Sequence, residues 1–455
     1  MKQGLLPADR DLALLTDLYQ LTMLQAYVRE GMFEAAVFDL FARRLPASRN
    51  YLVACGLDDA LDYLEDLRFD ETALEYLAGL GHFTSDFLDW LAGFRFSGQV
   101  RAVPEGTPVF ANEPILEVVA PLPEAQLVET FLLNQVHFQT LVASKAARIA
   151  DAADGRTVVD FGLRRYHGID AGLKAARAAF IAGVDATSNV LAGQRYDIPV
   201  SGTMAHSYVL SHDDEAAAFE RFAALYPETV LLVDTYDTLE GVQKVIELAG
   251  RLGDAFRVRA VRLDSGDLPA LSRRAREMLD AAGLERVGIF ASGDLDEYRI
   301  DALLTAGAPI DGFGVGTRMG TSEDAPFLNS AYKLVEYAGT GRMKLSTAKA
   351  TLPGRKQVYR IESNGTFVRD VLALADEALS GTPLLTEVMR DGRRIAAQRA
   401  PLATLRDYCR EQRNRLPDHI RARQPADPPY PVEISPGLAA ARDALARRPG
   451  REKGS

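Results

Sequence analysis

The amino-acid sequence predicts an α/β protein whose parallel sheet closes into a barrel of the TIM type. Strand-like runs rich in valine, leucine and isoleucine recur throughout residues 157–316, and helical patterns fill most of the gaps between them. Alternation of this kind implies parallel strands joined by crossover helices. Nearly every run ends in an aspartate, a serine or a glycine.

The position of these polar residues favours a barrel over an open doubly wound sheet, although the pattern alone allows both. In an open sheet the site residues cluster where the strand order reverses, whereas the loops around the whole carboxyl edge of a barrel converge. The runs expected to form strands are Thr157–Phe161, Gly183–Asp185, Ile198–Ser201, Val230–Asp234, Val258–Asp264, Val287–Ser292 and Gly312–Val315.

The segments that flank the barrel predict further structure. Residues 8–29 have apolar side chains at helical spacing, and residues 37–45 form a strand-like run. Short strand-like runs separated by prolines and glycines indicate a small sheet domain at residues 95–119. A long helical stretch at residues 124–150 leads into the barrel, and the chain becomes β-rich again after residue 332.

Length and composition set the class of protein. A chain of 455 residues exceeds one typical core, so two or three domains are expected. The net charge of −11 argues against a general nucleic-acid binder or a binder of anionic membranes. Cys55 and Cys409 are far apart and are expected to be reduced thiols. No apolar run approaches the ~20 residues that span a bilayer, and charged residues interrupt any signal-peptide core, so we expect a cytoplasmic location.

Polar residues follow the first three strands of the barrel. In a parallel α/β protein these strand ends lie at one edge and build a site together. His206 lies just beyond the third strand, where a neutral imidazole can be a general base, a metal ligand or a phosphoryl acceptor, and its chemistry alone does not choose among these. The residues at these strand ends are Asp160, Phe161, Arg164, Arg165, Thr187, Ser188 and His206.

Acidic and glycine residues follow the later strands. Asp234 can bind substrate or cap the next helix, and the closely spaced Asp264 and Asp267 can hold ribose hydroxyls or a magnesium–phosphate complex, or cap a turn. Glycine lets backbone N–H groups approach a phosphate closely, and the loops after the late strands often bind phosphate in barrels. The remaining candidates are Ser265, Gly293, Asp294, Gly314, Gly316 and Thr317.

Taken in order, these segments resemble the nicotinate phosphoribosyltransferase family over roughly residues 14–435. Asp234–Thr238 differs from the loop of type I phosphoribosyltransferases because its acids are separated and no Thr-Gly cradle follows. The segments that carry the resemblance are Thr16–Gln20, Asp160–Arg165, Thr187–Val190, Gly202–His206, Asp234–Thr238, Asp264–Asp267, Gly314–Gly316 and Pro353–Arg360.

The resemblance implies a type II fold, namely an irregular TIM-like (β/α) barrel with an additional open-faced α/β sandwich domain formed by the N- and C-terminal segments. The expected divisions are residues 1–140, a barrel at residues 141–345, and a segment at residues 346–455 that packs with the N-terminal domain. The composition of the last ~20 residues indicates disorder. A homodimer with shared active sites is also implied.

The reaction implied by the resemblance joins nicotinate to 5-phosphoribosyl 1-diphosphate, releases diphosphate, and is coupled to ATP hydrolysis with Mg²⁺ as cofactor. His206 is then the residue that ATP phosphorylates, and Asp264 holds ribose. The residues implied to bind nicotinate are Tyr19 from the partner subunit, Phe161, Arg164, Arg165, Ser188 and Arg262. Those implied to bind ribose or phosphates are Arg43, Arg44, Asp234, Ser265, Gly293, Asp294, Gly314, Gly316 and Thr317.

Ser188 separates nicotinate from the nearest alternative. The related nicotinamide phosphoribosyltransferase carries an aspartate at this place, which would repel the carboxylate of nicotinate, whereas a serine donates a hydrogen bond to it. The decarboxylating quinolinate enzyme would need a denser cationic cluster than the sequence contains. A non-catalytic protein that binds phosphoribosyl diphosphate is the other alternative, and it predicts loss of His206 or of the acidic strand ends.

Overall fold

The chain forms two compact units in a computed structural model that describes residues 9–344, 351–395 and 399–447. One unit contains residues 1–144 and 327–455, and we call it the two-segment unit. The other contains residues 145–326, and we call it the barrel unit. The sequence expectation had placed the two limits of the barrel at residues 141 and 345.

The first segment of the two-segment unit begins with a 3₁₀ turn at Asp9–Leu14. Its further elements are α1 (Leu18–Arg29), β1 (Ala35–Ala42), β2 (Leu52–Val53), α2 (Leu57–Asp66), α3 (Glu71–Gly79), α4 (Ser85–Ala92), β3 (Gln99–Ala102), β4 (Pro108–Val109), β5 (Pro114–Pro121), α5 (Leu122–Leu127) and α6 (Glu129–Ala152). The boundary between the two units falls inside α6.

The barrel unit alternates strands and helices, with a 3₁₀ turn at Leu163–Arg165. Its strands and helices are β6 (Thr157–Asp160), α7 (Ile169–Ile181), β7 (Ala186–Thr187), α8 (Val190–Tyr196), α9 (His206–Leu210), α10 (Glu215–Leu225), β8 (Val230–Leu232), α11 (Thr238–Leu252), β9 (Ala260–Leu263), α12 (Leu268–Ala281), β10 (Gly288–Ala291), α13 (Glu297–Thr305), β11 (Gly312–Val315) and α14 (Thr317–Gly320).

The second segment of the two-segment unit is mainly β-structure. Its elements are β12 (Ser330–Tyr337), β13 (Thr340–Gly341), β14 (Lys356–Ser363), β15 (Thr366–Leu374), β16 (Thr382–Pro383), β17 (Thr386–Arg390), β18 (Arg393–Arg394), α15 (Leu402–Asn414), α16 (Asp418–Arg421), β19 (Val432–Ile434) and α17 (Pro436–Ala446). Among the helices in the described ranges, none is both long and apolar enough to cross a membrane.

The barrel unit has one parallel sheet with the strand order β7-β6-β11-β10-β9-β8. Its strands are short. Most of their residues are apolar because helices cover the sheet, and every residue of β11 is buried. The sheet curls into a half-barrel, which confirms the predicted α/β barrel class. A single parallel bridge between Thr187 and Val200 extends the sheet beyond β7.

Three sequence predictions of local structure are corrected here. The helix expected at residues 8–29 is interrupted, because Asp17 has an extended backbone (φ −83°, ψ 144°) and α1 starts after it. The strand expected at Gly183–Asp185 lies at residues 186–187 instead, since Gly183 has a φ of 117° and ends α7. The strand expected at Ile198–Ser201 contributes only the bridge at Val200.

Strands from both chain segments alternate in the largest sheet of the two-segment unit, whose order is β13-β12-β1-β5-β3-β17-β18. The central strand β1 pairs antiparallel with β12 from the second segment and with β5 from the first. A smaller sheet has the order β16-β14-β15-β19. Because residues 330–337 belong to the largest sheet, the second segment enters this unit well before residue 346.

A buried ion pair joins β14 to β15 inside the two-segment unit. Arg360 Nη2 donates to Asp370 Oδ2 at 2.6 Å, and both side chains are almost fully buried. Tyr430 donates to the other oxygen of Asp370 at 3.1 Å. Burial alone would lower the pKa of Arg360, but the negative charge of Asp370 and its hydrogen bonds raise it. Burial also raises the pKa of the nearby Glu113.

The C-terminal region differs from the disorder that its composition indicated. Residues 436–446 form α17, whose first turn is capped by Ser435 Oγ accepting from the N–H of Leu438 at 3.1 Å. Leu438 is fully buried, and Tyr430 in the preceding proline-rich stretch is 6% exposed. Average composition does not detect a few such apolar anchors. Residues 448–455 lie outside the described part of the chain.

Replacing Arg360 with methionine should lower the free energy of unfolding by about 3–5 kcal/mol, because Asp370 would remain charged and buried without its partner. The matched control is Arg369→Met on β15, where Arg369 and Glu433 form an exposed pair at 3.4 Å, and it should cost about 0–1 kcal/mol. Trp90 on α4 is the single tryptophan of the chain, so its fluorescence during urea unfolding reports on this unit. Equal losses in both variants would contradict the expectation.

Candidate active site

The predicted site residues of the barrel unit lie at the carboxyl ends of its strands, which meet at one edge because the strands are parallel. Asp160 ends β6, Ser188 follows β7, Asp264 follows β9, and Gly316 follows β11. Tyr19, Arg43 and Arg44 belong to the two-segment unit. Their contribution to the site therefore stays a prediction.

Asp160 is a buried carboxylate that organises the end of β6. Its Oδ1 accepts from the N–H of Gly162 at 2.9 Å and from Tyr166 Oη at 2.5 Å, and its Oδ2 accepts from Thr187 Oγ1 at 2.8 Å. Burial raises the pKa of Asp160 in spite of these three hydrogen bonds. Asp160 thus fixes the turn that carries Phe161 and holds the ends of β6 and β7 together.

Tyr166 reaches Asp160 only because two glycines leave room for its ring. A Cβ atom on Gly162 would lie 2.0 Å from Tyr166 Cζ, and one on Gly320 would lie 1.9 Å from Tyr166 Cε1. Tyr166 is buried, and burial together with the charge of Asp160 raises its pKa well above the usual value. The tyrosine therefore remains a neutral hydrogen-bond donor.

Phe161 presents an aromatic ring beside a guanidinium. The Cζ atom of Arg262 lies 5.5 Å from the centre of the Phe161 ring, a cation–π distance, and Phe290 packs at 6.0 Å. Gly314 is needed here because a Cβ atom on it would lie 2.4 Å from the Phe161 ring. This glycine, predicted to bind phosphate, thus makes space for the aromatic ring.

Two arginines and a serine lie near this ring in the sequence. Arg164 and Arg165 are exposed, and neither guanidinium group makes a hydrogen bond or ion pair with another residue in the described ranges. Ser188 is half-buried, and its N–H donates to the carbonyl of Asp160 at 2.8 Å. The two guanidinium groups are therefore free to bind an anion.

His206 is the first residue of the short helix α9. Its Nδ1 atom lies 3.2 Å from Thr235 Oγ1, just after β8. Its positive charge, when present, is one of the causes that lower the pKa of Asp264. The imidazole therefore lies close enough to the acidic strand ends to act on them electrostatically.

Arg262 joins several strand ends through one guanidinium group. Its Nη2 donates to Asp264 Oδ1 and its Nε donates to Ser292 Oγ, each at 2.8 Å. Its Nη1 donates to Thr203 Oγ1 at 2.8 Å and to the carbonyl of Met204 at 3.3 Å. These four bonds leave one Nη2 hydrogen for a substrate.

Asp264 and Asp234 form the acidic part of the site. Asp264 Oδ1 also accepts from Ser292 Oγ at 2.5 Å, and Asp234 Oδ2 accepts from the N–H of Asp264 at 3.0 Å and from Ser265 Oγ at 2.8 Å. Burial opposes the charge of Asp264, but the hydrogen bonds from Arg262 and Ser292 and the charges of Arg262 and His206 outweigh it and lower its pKa. Asp264 is therefore ionised at neutral pH.

Gly293 and Asp294 continue the acidic edge. Gly293 has a φ of 91°, and a Cβ atom there would lie 1.8 Å from the carbonyl oxygen of Asp264, so only glycine fits. Asp294 is exposed, and its Oδ2 lies 3.4 Å from nitrogens of Arg299 and Arg318. Asp267 instead caps α12 by accepting from the N–H of Ala270 at 3.0 Å.

A cavity of about 500 Å³ opens beside these acids. Its walls include Asp264, Ser265, Gly293 and Asp294, with Leu303 among the apolar residues. Thr317 begins α14 next to Gly316, and the structure shows no side-chain hydrogen bond for Thr317 within the described ranges. Polar groups predicted for ribose thus surround a space large enough for a sugar.

The carboxylates at this edge are candidate ligands for a divalent metal. No cluster of three or more histidine, cysteine, aspartate or glutamate residues suited to a metal occurs in residues 9–344, 351–395 and 399–447. Asp234 Oδ1, however, is buried and has no hydrogen-bond partner among those residues. One or two carboxylates suffice for Mg²⁺ when substrate phosphates complete its coordination. Asp234 and Asp264 fit that requirement.

Comparison with known proteins identifies the family. Family models described as the nicotinate phosphoribosyltransferase N-terminal domain, the nicotinate phosphoribosyltransferase family and the nicotinate phosphoribosyltransferase C-terminal domain match residues 14–137, 157–338 and 378–442. The chain belongs to the nicotinate phosphoribosyltransferase family. The matches cover both units, and the match at residues 157–338 contains every candidate residue of the barrel unit.

Individual relatives agree with this family over almost the whole chain. Nicotinate phosphoribosyltransferase pncB2 of Mycobacterium tuberculosis is 56% identical over 423 residues, which cover 93% of this chain and 91% of the relative. The Bacillus subtilis enzyme is 47% identical over 382 residues, covering 82% and 78% of the two chains.

Two solved structures share the fold. The crystal structure of human nicotinic acid phosphoribosyltransferase superposes with a TM-score of 0.84 at 31% identity, covering 94% of this chain and 99% of the human chain. A protein from Pyrococcus furiosus described as nicotinate-nucleotide pyrophosphorylase superposes with a TM-score of 0.75 at 26% identity, covering 91% and 99%. The α/β barrel fold class predicted from the sequence is thereby confirmed.

Sequence reasoning missed four residues that organise the nicotinate phosphoribosyltransferase site. They are Tyr166, Thr203, Thr235 and Ser292, and each bonds to a residue that was predicted. All four lie within three residues of a predicted site residue, so that proximity is an available signal. The burial of the Tyr166 ring has no local signal, because Gly320, one of the two glycines that admit it, is far away in sequence.

Replacing Gly320 with alanine should lower the free energy of unfolding by about 1–3 kcal/mol, because the new methyl group overlaps the ring of Tyr166. The control is Gly250→Ala on α11, where a Cβ atom meets nothing within 4 Å, so helix propensity should stabilise the protein by up to about 1 kcal/mol. Calorimetry of both variants measures the difference. A neutral Gly320→Ala would show that Tyr166 is not held where the structure places it.

Proposed function

We propose that the protein synthesises nicotinate mononucleotide and diphosphate from nicotinate and 5-phosphoribosyl 1-diphosphate. The observation that carries the proposal is the position of Arg262, which lies over the Phe161 ring and donates to Asp264. A platform for an aromatic base is thus directly connected to an acid suited to ribose hydroxyls. The reaction requires these two substrate parts to meet.

At the base end, Phe161 would stack on the pyridine ring, and the partner subunit's Tyr19 would cover its other face. The nicotinate carboxylate would be bound by the unpaired Arg164 or Arg165, by the free Nη2 hydrogen of Arg262, and by the Ser188 hydroxyl. The two exposed arginines support this assignment because a carboxylate could replace water on them without breaking an ion pair.

At the ribose end, Asp264, Asp234 and Ser265 would contact ribose or the metal, together with Gly293 and Asp294. Gly314, Gly316 and Thr317, with Arg43 or Arg44, would bind phosphates. Asp234 and Asp264 would hold Mg²⁺, which neutralises the charge of the departing diphosphate when it is bound. The buried Asp234 Oδ1 supports this placement, since it needs a donor or a cation.

The chain's own residues have a limited task in the chemical step. The pyridine nitrogen is already a nucleophile at neutral pH, so no general base is needed. Phe161 and the arginines would align that nitrogen with the anomeric carbon, and the ionised Asp264 would favour the positive charge that develops on the ribose ring. The lowered pKa of Asp264 supports this part, because the carboxylate keeps its charge well below neutral pH.

We also propose that ATP phosphorylates His206 and that this step drives synthesis. A phosphoryl group would add about two negative charges beside the acidic strand ends. The orientation of the imidazole by Thr235 and its electrostatic contact with Asp264 support a position from which phosphorylation affects ribose binding.

Exposed apolar side chains support the proposed homodimer. Helices α7 and α8, which pack against each other through Leu173 and Ala192, expose Ile169, Val190 and Leu191, and Val190 is 71% accessible. A contiguous exposed apolar patch can mark a protein–protein contact. A cytoplasmic location remains part of the proposal.

The alternatives differ at the base. Nicotinamide lacks the carboxylate that the free arginines would bind, and quinolinate carries a second carboxylate. A non-catalytic phosphoribosyl-diphosphate-binding protein would not need the hydrogen-bonded Asp264 and His206, which this chain retains.

The deciding experiment measures product formation from phosphoribosyl diphosphate and Mg²⁺ with nicotinate, nicotinamide or quinolinate, each with and without ATP. We expect product from nicotinate but not from nicotinamide or quinolinate. The rate with nicotinate should be higher when ATP is present. His206→Asn should lose both the ATP-dependent increase and labelling by γ-³²P-ATP. Product formation from nicotinamide or quinolinate, or from none of the three bases, would contradict the substrate proposal. Absence of ³²P-labelling in the wild-type protein would contradict only the ATP step.

Replacing Ser188 with aspartate should reduce kcat/KM for nicotinate by at least about 100-fold, or ~2.7 kcal/mol, because the two carboxylates repel each other. The control Ser188→Ala removes one hydrogen bond and should cost about tenfold. The ratio of nicotinamide to nicotinate turnover should rise only in the aspartate variant. Similar losses in both variants would show that charge at this position does not select the base.

A further inference from the structure

We propose that Arg262 is the positioning residue that couples His206 to phosphoribosyl binding, through its hydrogen bonds to Thr203 and to the Met204 carbonyl. This inference rests on the ATP step proposed above. The Thr203 contact is the part of it that a single variant can remove.

The first observation is the geometry of the segment before α9. Met204 lies two residues before His206, and its carbonyl accepts from Arg262 Nη1 at 3.3 Å. Thr203 Oγ1 accepts from the same nitrogen at 2.8 Å and donates to the Met204 carbonyl at 3.1 Å. The segment that leads into His206 is therefore held by one guanidinium group.

The second observation is that the same guanidinium holds the ribose acid. Nη2 of Arg262 donates to Asp264 Oδ1, while Nε donates to Ser292, which is 2% exposed. A planar guanidinium has fixed directions for its hydrogens, so movement of one partner changes the bonds to the others. Because Ser292 is buried, its bond to Nε holds that side of the Arg262 guanidinium in place.

The third observation is electrostatic. A phosphoryl group on His206 attracts the cation Arg262 and repels the carboxylate of Asp264. The His206 segment and Asp264 share this one cation, so the new charge alters the position or charge balance of Asp264. A second route from His206 runs through Thr235 and the adjacent Asp234, which accepts from the Asp264 N–H.

Thr203→Val tests the inference, because valine keeps the shape of threonine and removes the acceptor for Arg262. The full-length protein is assayed at saturating nicotinate, and KM for phosphoribosyl diphosphate is measured with and without ATP. The KM without ATP divided by the KM with ATP measures the coupling between phosphorylation of His206 and binding of phosphoribosyl diphosphate. We expect this ratio to fall about tenfold in the variant, while ³²P-labelling of His206 changes less than twofold.

Thr203→Ser keeps the hydroxyl and should restore the wild-type ratio. Thr229→Val is the matched control, because Thr229 lines the same cavity as Thr203 and its hydroxyl bonds only to the Val230 carbonyl at 3.5 Å in the described part of the chain. Its ratio should be unchanged. If Thr203→Val does not fold, Thr203→Ala removes the same acceptor with a smaller side chain.

The outcomes separate this inference from the proposed function. A wild type that is not labelled and shows no effect of ATP on KM contradicts the ATP step, and with it the inference. A wild type with coupling and a Thr203→Val variant with an unchanged ratio overturns the inference alone. A loss of labelling in Thr203→Val would also overturn it, because Thr203 would then act on phosphorylation itself rather than on its transmission to Asp264.

Discussion

A carboxylate at the end of a parallel strand is partly shielded from water by its neighbours, and Asp264 stays charged there because Arg262 and Ser292 donate hydrogen bonds to it. Without those donors, burial would raise its pKa, as it does for Asp160. The same guanidinium lies over Phe161 and holds the Met204 carbonyl. Phe161, Asp264 and the His206 segment therefore all contact one cation, the Arg262 guanidinium at their centre.

The sequence was sufficient to predict most strand ends of the barrel unit, except for the second and third strands, but not the pairs that form between them. Hydrophobic runs followed by polar residues located Asp160, Asp234 and Asp264, because that pattern depends only on neighbouring residues. The bond from Ser292 to Asp264 depends on β10 lying beside β9, which no local pattern specifies. Tyr166 was missed for the same reason, since Gly320 comes from the far end of the unit.

The flanking regions show a related limit of composition. The composition of the C-terminal residues suggested disorder, yet Leu438 among them is fully buried, and Tyr430 just before them stacks on Phe110 with ring centres 3.9 Å apart. One aromatic or aliphatic anchor can hold a polar segment when a preformed surface receives it. That surface is built from two distant chain segments, so it is invisible to any window of the sequence.

The charges at the strand ends have a consequence for the substrates. Asp234, Asp264 and Asp294 make this edge acidic, and the nearby Arg318 is already paired with Asp294, Asp296 and Glu323. A diphosphate cannot approach such acids closely unless a cation lies between them. Mg²⁺ meets this need because it binds carboxylate and phosphate oxygens together. Within the described part of the chain, Asp234 Oδ1 is buried without a hydrogen-bond donor, and this supports the proposed metal that arrives with its substrate.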